Sequence, residues 1–374
     1  MPRLTELKAS IVVSSAIEKT PRVLQCNGLF DVPPMDRSEL KWDVNLPLND
    51  REWNIGLIVG PSGSGKSTVA RKVFGKHIVS TYEWPKTKSL LDGFPDAMSI
   101  KEIVELLSSV GFSSPPSWVR PFHVLSTGEQ FRVTMARTLA EAKQLAVVDE
   151  FTSVVDRTVA QIGSAAIAKT IRRRKQKLIA VTCHFDVTDW LQPDWIYRPD
   201  LNEFQWRELQ RFPTIELTIE RVHHQAWQIF RQHHYLDTSL NKSAVCFVAR
   251  WNDRPVAFSS WLSRFGKGGA GSRREHRTVT LPDFQGVGIG NRLSEYCASL
   301  WCGLGLRAFS TTSHPGMIRY RHGSGRWRMV RGPSLASRDS SRKVRRSVNR
   351  LTAGFEYVGT AIEPRLARRI LGAA

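Results

Sequence analysis

Nine residues, Gly60-Pro61-Ser62-Gly63-Ser64-Gly65-Lys66-Ser67-Thr68, set spaced glycines, one lysine and several hydroxyls directly after the apolar run Ile55-Gly56-Leu57-Ile58-Val59. That composition suits a polyphosphate. Glycines let backbone N–H groups curl around the anion, Lys66 adds a point charge at the β and γ oxygens, and the Ser67 hydroxyl is placed to ligate Mg²⁺. Downstream, the apolar stretch Leu145-Ala146-Val147-Val148 ends in Asp149-Glu150. The first carboxylate can join the metal's ligands, and the second, one residue on, can polarise an attacking water. His184 closes another apolar run, Lys177 to Val181, where it can sense a terminal phosphate. Together these residues imply Mg²⁺-assisted hydrolysis of a terminal phosphate.

A second glycine pattern, Gln285-Gly286-Val287-Gly288-Ile289-Gly290, follows the strand-like Arg277 to Leu281 and opens a helix from Asn291 to Trp301. Glycines at a helix N-terminus allow close approach of N–H groups to a pyrophosphate. The same half of the chain holds groups able to carry a proton: Glu275, just before that strand, as a base, and His233, His234 and His314.

The elements that must hold these residues divide the chain near Pro199 to Pro213, giving domains 1–208 and 209–374. Before the boundary, apolar strands each lead into a motif; after it, Thr214–Glu220 reads as a strand and Val222–His234 as a helix. Ala244–Arg250 and Pro255–Leu262 read as a hairpin turning at Asn252-Asp253. The length of 374 residues and an apolar share of 41% support more than one core. No run of about 18 apolar residues occurs, so no membrane span is expected, and the N-terminus lacks a signal-peptide pattern. The five cysteines show no C-x-x-C pairing and fit buried thiols in a reducing cytoplasm. Charge is uneven. Residues 209–374 hold 27 of the 54 Lys and Arg but only 10 of the 34 Asp and Glu, a net +17; nearly all of these cations are arginine, notably around Arg319–Arg331 and Arg338–Arg350. Such density favours phosphate contacts and points to nucleic acid as a partner, DNA or RNA.

With Leu125-Ser126-Thr127-Gly128-Glu129-Gln130 added, the first half resembles the ATPase domain of the ABC superfamily. LSTGEQ stands at the family's LSGGQ signature, Val148-Asp149-Glu150 at Walker B, Ser153 to Asp156 at the D-loop, and His184 at the switch histidine. The resemblance implies ATP and Mg²⁺ as cofactors, Ser67 and Asp149 as metal ligands, and Glu150 and His184 as catalytic. It also implies that Ser126, Gly128 and Glu129 cap ATP bound to a second copy, hence an ATP-dependent homodimer. Two features depart from the family. No glutamine lies between Lys76 and Val124 to serve as the Q-loop residue, and the helical subdomain is short. The adenine-stacking aromatic is Phe30, Trp42 or Trp53, with Trp42 preferred by spacing and core packing the alternative for all three.

The second half resembles the GNAT acyltransferases, whose motif Q/R-x-x-G-x-G/A fits Gln285 to Gly290; Gly354-Phe355 matches a closing GF strand. That resemblance implies binding of acetyl-CoA or another acyl donor by Gln285, Gly286, Val287, Gly288, Ile289, Gly290 and Asn291. It also implies acyl transfer aided by His314 or Glu275, with His314 ranked first because it follows strand Leu306–Thr311, where the fold opens. The tyrosine that many members keep before the GF motif is absent. The fold class is thus α/β, an ABC-type P-loop NTPase domain followed by a GNAT-like domain, an order that also resembles a small family of ABC-type ATPases fused to an acetyltransferase domain. The expected function is that of a cytoplasmic ATPase whose second domain acylates a nucleic-acid or nucleic-acid-associated acceptor. The alternatives are a nucleic-acid-binding machine with a catalytically inactive GNAT fold and, with no support from the charge, a transporter's ATPase subunit.

Overall fold

A computed structural model describes residues 7–79, 81–142, 144–208, 213–234, 238–264, 271–335 and 351–372. They fall into two compact units, the first within 1–82, 141–155 and 168–212, the second within 83–140, 156–167 and 213–374. The sequence boundary at 208/209 follows the chain alone; packing groups 83–140 and 156–167 with the C-terminal residues.

In the first unit, β1 (Leu7–Ala16) and β2 (Arg37–Leu46) form an antiparallel ribbon with α1 (Pro21–Phe30) between them. Strand β3 (Ile55–Val59) buries all five of its residues, as a strand covered on both faces must. It leads through the phosphate-binding loop into α2 (Lys66–Phe74), which buries Val69, Ala70 and Phe74. With β4 (Leu145–Val148), β5 (Lys177–Thr182), β6 (Trp195–Arg198) and β7 (Glu203–Trp206) it makes a sheet of order β4-β5-β3-β6-β7, parallel except at β7. Val59 pairs with Thr182 and Val148 with Ala180, so β3, β4 and β5 end along one edge. The crevice beyond the carboxyl ends of such strands is where open α/β sheets take ligands.

The second unit begins with α3 (Ile100–Ser109), α4 (Pro115–Trp118) and α5 (Thr127–Glu141), and includes the start of α6 (Arg157–Arg174). Between β5 and β6 of the first unit lies the short α7 (Val187–Leu191). The second unit's sheet is made of β8 (Thr218–Val222), β9 (Val245–Trp251), β10 (Arg254–Ser263), β11 (Ser272–Thr280), β12 (Arg307–Thr312), β13 (Trp327–Ser334) and β14 (Thr352–Tyr357). Its order is β13-β14-β12-β11-β10-β9-β8. Every neighbouring pair is antiparallel except β11 and β12, which pair only over Ser272–Arg274 and Arg307–Phe309. Beyond Glu275 these two strands have no ladder between them. α9 (Ile289–Gly303) connects them and packs Leu293, Cys297, Ala298 and Leu300 against Phe247, Trp261 and Phe355. The opposite face, at β9 to β11, is covered by α8 (Trp227–Phe230) through Trp227 and Phe230 on Val248, Phe258 and Val279. α10 (Pro315–Gly323) and α11 (Pro364–Leu371) complete the unit.

The hairpin turn falls where the sequence puts it, with Asn252 (φ 49°) and Asp253 (φ 61°) both left-handed, as a two-residue loop of this kind demands. The helix expected over Val222–His234 is broken instead into two 3₁₀ turns flanking α8. Among the described residues no helix is long and apolar enough to cross a membrane.

Candidate functional site

The loop Gly60–Thr68 turns at Gly63 (φ 82°) and Gly65 (φ 86°), a conformation that a side chain would strain. A Cβ at Gly65 would meet the indole of Trp42, and one at Gly60 would lie 2.9 Å from both Asp200 Oδ1 and Ser64 Oγ. Pro61 and Ser62 are exposed on the loop's outer side, and Thr68 sits in the first turn of α2. Lys66 Nζ donates to the Pro61 carbonyl at 2.7 Å. Phosphate oxygens are stronger acceptors than a neutral carbonyl, so an arriving anion would win this ammonium.

The Ser67 hydroxyl donates to Asp149 Oδ1 at 3.0 Å, bringing α2 and the end of β4 together. This hard, all-oxygen pair fits Mg²⁺. Ser67 and Asp149 would hold the ion, which would supply positive charge against the phosphates. Arg71, one turn after Ser67 on the same face of α2, reaches Asp149 Oδ2 at 3.6 Å. Helical spacing from Ser67 was the signal that would have found it. Glu150 is exposed and held at φ 55°, followed by Thr152 at φ 66°, both uncommon for residues with side chains. Its backbone N–H donates to Asp149 Oδ1 at 3.0 Å and its carboxylate accepts from Ser153 Oγ at 2.6 Å. Ser153 thus orients the general-base candidate, a role that the sequence reading did not give it. His184 follows β5, its backbone N–H anchored to Thr182 Oγ1 at 3.2 Å.

Trp42 requires a correction. It is 9% exposed, lies against Gly65 and donates its indole N–H to the Ser64 carbonyl at 3.1 Å. An adenine needs a free ring face; Trp42 instead supports the phosphate loop from below. Trp53 is buried against Trp195, whereas Phe30 is 73% exposed on α1.

Ser126 and Glu129 form a reciprocal cap on α5 within the second unit. Glu129 Oε2 accepts from the Ser126 N–H at 3.0 Å, and Ser126 Oγ accepts from the Glu129 N–H at 3.3 Å. The Glu129 carboxylate is therefore spent on the helix end and would repel a phosphate, which corrects the expectation that it contacts ATP. Gly128 is buried, and a Cβ there would stand 3.1 Å from Val159. Asp156 Oδ1 caps α6 through the N–H groups of Thr158 and Val159.

The second glycine loop is shaped as expected and is partly spoken for. Gly286 (φ 95°) and Gly288 (φ 96°) are both left-handed, and Gly288 caps α9 with open space where a Cβ would point. At Gly286, however, a Cβ would lie 2.7 Å from Gly111 Cα and 2.8 Å from Ala166 Cβ. The Gln285 side chain accepts from the Ser113 N–H at 2.7 Å and donates to the Thr280 carbonyl at 2.9 Å. Arg132, fully buried on α5, donates to the Asp283 carbonyl at 3.0 Å. Burial depresses its affinity for the proton, opposed by Asp283. Val287 is half-buried, Ile289 is buried, a Cβ at Gly290 would meet Thr280 Oγ1 at 2.6 Å, and Asn291 Oδ1 is buried with no hydrogen-bond partner. Space for a side chain thus remains open at Gly288, whereas at Gly286 it is taken by Gly111 and Ala166.

Glu275 stands inside β11, not ahead of the strand. It is buried, accepts from Arg321 Nη2 at 2.9 Å, from Thr278 Oγ1 at 2.5 Å and from Ser310 Oγ. Burial would raise its pKa, but the buried Arg321 and the hydroxyls outweigh this and hold the carboxyl below its usual range. A carboxylate so paired is a weak base, which corrects its assignment to proton transfer. Arg321 fills the gap between the diverging β11 and β12, touching Ser294 and Ser310 as well. His314 caps the start of α10; both ring nitrogens are buried and unpartnered, and burial pushes its pKa down to about 4. Its ring centre lies 6.5 Å from that of Trp118. The arginines of 338–350 lie outside the described residues.

Three motifs at the carboxyl edge of one parallel sheet, with Ser67 and Asp149 in contact, define an ATP-binding domain of the ABC ATPase type. Curated relatives agree. The chain is 30% identical over 158 residues to the zinc import ATP-binding protein ZnuC 1 of Hahella chejuensis, covering 36% of this chain and 58% of that protein. It is 29% identical over 161 residues to ZnuC of Vibrio cholerae, covering 37% and 60%. The chain spans about three-fifths of the length of these relatives. No protein-family model matches. Among solved structures, a dimeric bacterial ABC transporter cassette aligns at 18% identity and a TM-score of 0.35, covering 47% of this chain and 94% of that one.

Proposed function

We propose that this protein hydrolyses ATP as an ABC-type homodimer and uses a GNAT-like second unit to hold nucleic acid. The contact between Ser67 and Asp149 carries the first part, because it sets a metal-ligand pair beside the phosphate loop with Glu150 next in the chain. The loop N–H groups and Lys66 would bind and orient the phosphates. Glu150, steadied by Ser153, would take the proton of the attacking water. Closure of two copies on ATP and reopening after hydrolysis would move the attached units relative to whatever they hold. The GNAT-like reading of the second unit is supported by its strand–glycine loop–helix–strand order and by the single parallel pair that diverges after three residues. The net charge of +17 over residues 209–374 supports nucleic acid as the ligand.

A second reading, acyl transfer from a CoA thioester to a nucleic-acid-associated acceptor, is favoured by the open space at Gly288. It ranks behind because Glu275 is committed to Arg321 and His314 is shielded from exchange. Zinc import belongs to the relatives, whose match extends over little more than a third of this chain. The test uses Glu150→Gln, which should bind ATP, stop turnover and accumulate as a dimer in light scattering. Wild-type hydrolysis by that variant refutes the proposal.

A further inference from the structure

We infer that the outer face of β12, β14 and β13, with the adjoining ends of β10 and β11, docks the phosphodiester backbone of nucleic acid. The inference rests on the nucleic-acid reading above and gives it a surface. Side chains alternate along these strands. Ala308, Trp327, Met329, Ala353, Phe355 and Tyr357 point into the core, which leaves Arg307, Phe309, Arg328 and Glu356 on the other side. The contacts there form one chain across the strands. Arg264 and Arg307 lie over the Phe309 ring at 4.4 and 4.9 Å. Arg307 Nε and Arg328 Nη2 donate to the two oxygens of Glu356 at 2.7 and 2.6 Å. Arg331 continues it, lying over Gly354 and donating to Thr352 Oγ1 at 2.7 Å. Arg274, in register with Phe309, is exposed as well.

Among the described residues, five arginines therefore share a face with one carboxylate, which is only 7% exposed while Arg307 and Arg328 are 58% and 63% exposed. The hydrogen bond from Arg307, aided by Arg328, keeps Glu356 ionised and below its usual pKa, so it fixes both guanidinium groups without cancelling the patch. Neighbouring strands are about 4.8 Å apart, so the cations form a closely spaced row that matches the repeated charge of an extended polyanion. All five are arginine, the cation that pairs phosphate bidentately and offers a flat plane on which a base can stack. Phe309 is buried beneath them, so its aromatic ring is not offered as an anchor for membrane insertion.

The test is fluorescence anisotropy of labelled single-stranded RNA, single-stranded DNA and duplex DNA with the full-length protein, at a series of salt concentrations. Arg307→Ala/Arg328→Ala should weaken binding about tenfold or more and flatten the plot of log affinity against log salt by roughly 1.4–1.8, two lost phosphate contacts. ATPase rate should not change. Arg307→Lys/Arg328→Lys should keep the salt slope and lose part of the affinity. Arg328→Ala alone, on the sheet's edge strand, serves if the double variant does not fold. Wild-type binding that survives the double substitution with the same slope overturns this surface but not the nucleic-acid reading. Loss of binding only when Arg342, Arg345 and Arg346 are replaced does the same. Wild-type protein that binds none of the three probes overturns both, as does stronger capture by phosphatidylserine vesicles.

Discussion

Replacing Gly286 by alanine, beside Gly288→Ala as its partner, asks whether the second glycine loop is a ligand cradle or a packing surface. Both positions are left-handed, at φ 95° and 96°, so both alanines incur backbone strain of about 1–3 kcal/mol. Both also gain about 0.4–1 kcal/mol from a stiffer unfolded chain. Only Gly286 adds a collision, with Cβ 2.7 Å from Gly111 Cα and 2.8 Å from Ala166 Cβ, where backbone cannot swing aside. Overpacking of this kind costs about 1–3 kcal/mol more. The difference between the variants should therefore be about 2 kcal/mol. With a urea m-value of about 2 kcal/mol/M, the Gly286→Ala midpoint should fall about 1 M below that of Gly288→Ala. Gly111→Ala should behave like Gly286→Ala, since it is left-handed too and its Cβ would stand 2.7 Å from the Gln285 carbonyl. Urea unfolding followed at several probes, with m-values compared, is the assay. Equal midpoints for Gly286→Ala and Gly288→Ala would show that the loop does not rest on Gly111.

Lys66→Ala should abolish ATP binding in calorimetry, whereas Glu150→Gln should retain it, because one removes the cation at the phosphates and the other only the base. Arg321→Met should destabilise by about 3–5 kcal/mol by leaving Glu275 buried and unpaired, and Arg321→Met/Glu275→Leu should recover much of that loss in thermal unfolding. Simple additivity would contradict the pairing. His314 has a folded pKa of about 4 against an ordinary 6.5, so the unfolded chain binds its proton first. The stability that His314 contributes by staying neutral should be complete above pH 6.5 and decline as the pH falls toward 4, by on the order of 3 kcal/mol at most. The difference in unfolding free energy between wild type and His314→Phe, measured across that window, should carry this slope; a flat difference would place the ring in water.

The ATP site was legible because its chemistry is local. Gly60–Thr68 works through backbone torsions of consecutive residues, and Asp149-Glu150 follows an apolar strand whose pattern announces itself. Ser67 and Asp149 could be paired from sequence only through their types, and the register of β3, β5 and β4 is what brings them to 3.0 Å. The Asn252-Asp253 turn was legible for the same local reason. Strand β13 was not, since Arg328, Arg331, Gly332 and Pro333 hide its alternation and pairing with β14 defines it.

What went astray depended on partners far away in the chain. Trp42 and Phe30 are both aromatic and upstream of the loop, yet one is buried against Gly65 and the other exposed, a difference of packing that residue type cannot carry. Glu275 reads as a base until Arg321, 46 residues on, is found beside it. Gln285 and Gly286 match an acyl-donor motif residue for residue, but Ser113 and Gly111 already occupy part of that loop. The sequence by itself determined the phosphate-binding chemistry, the order of the motifs and the basic character of the second half, since each follows from residue type and short-range spacing. Tertiary structure alone decided which glycine stays open, which carboxylate is neutralised and which arginines share a face, because burial and charge pairing are set by contacts between residues that only folding brings together.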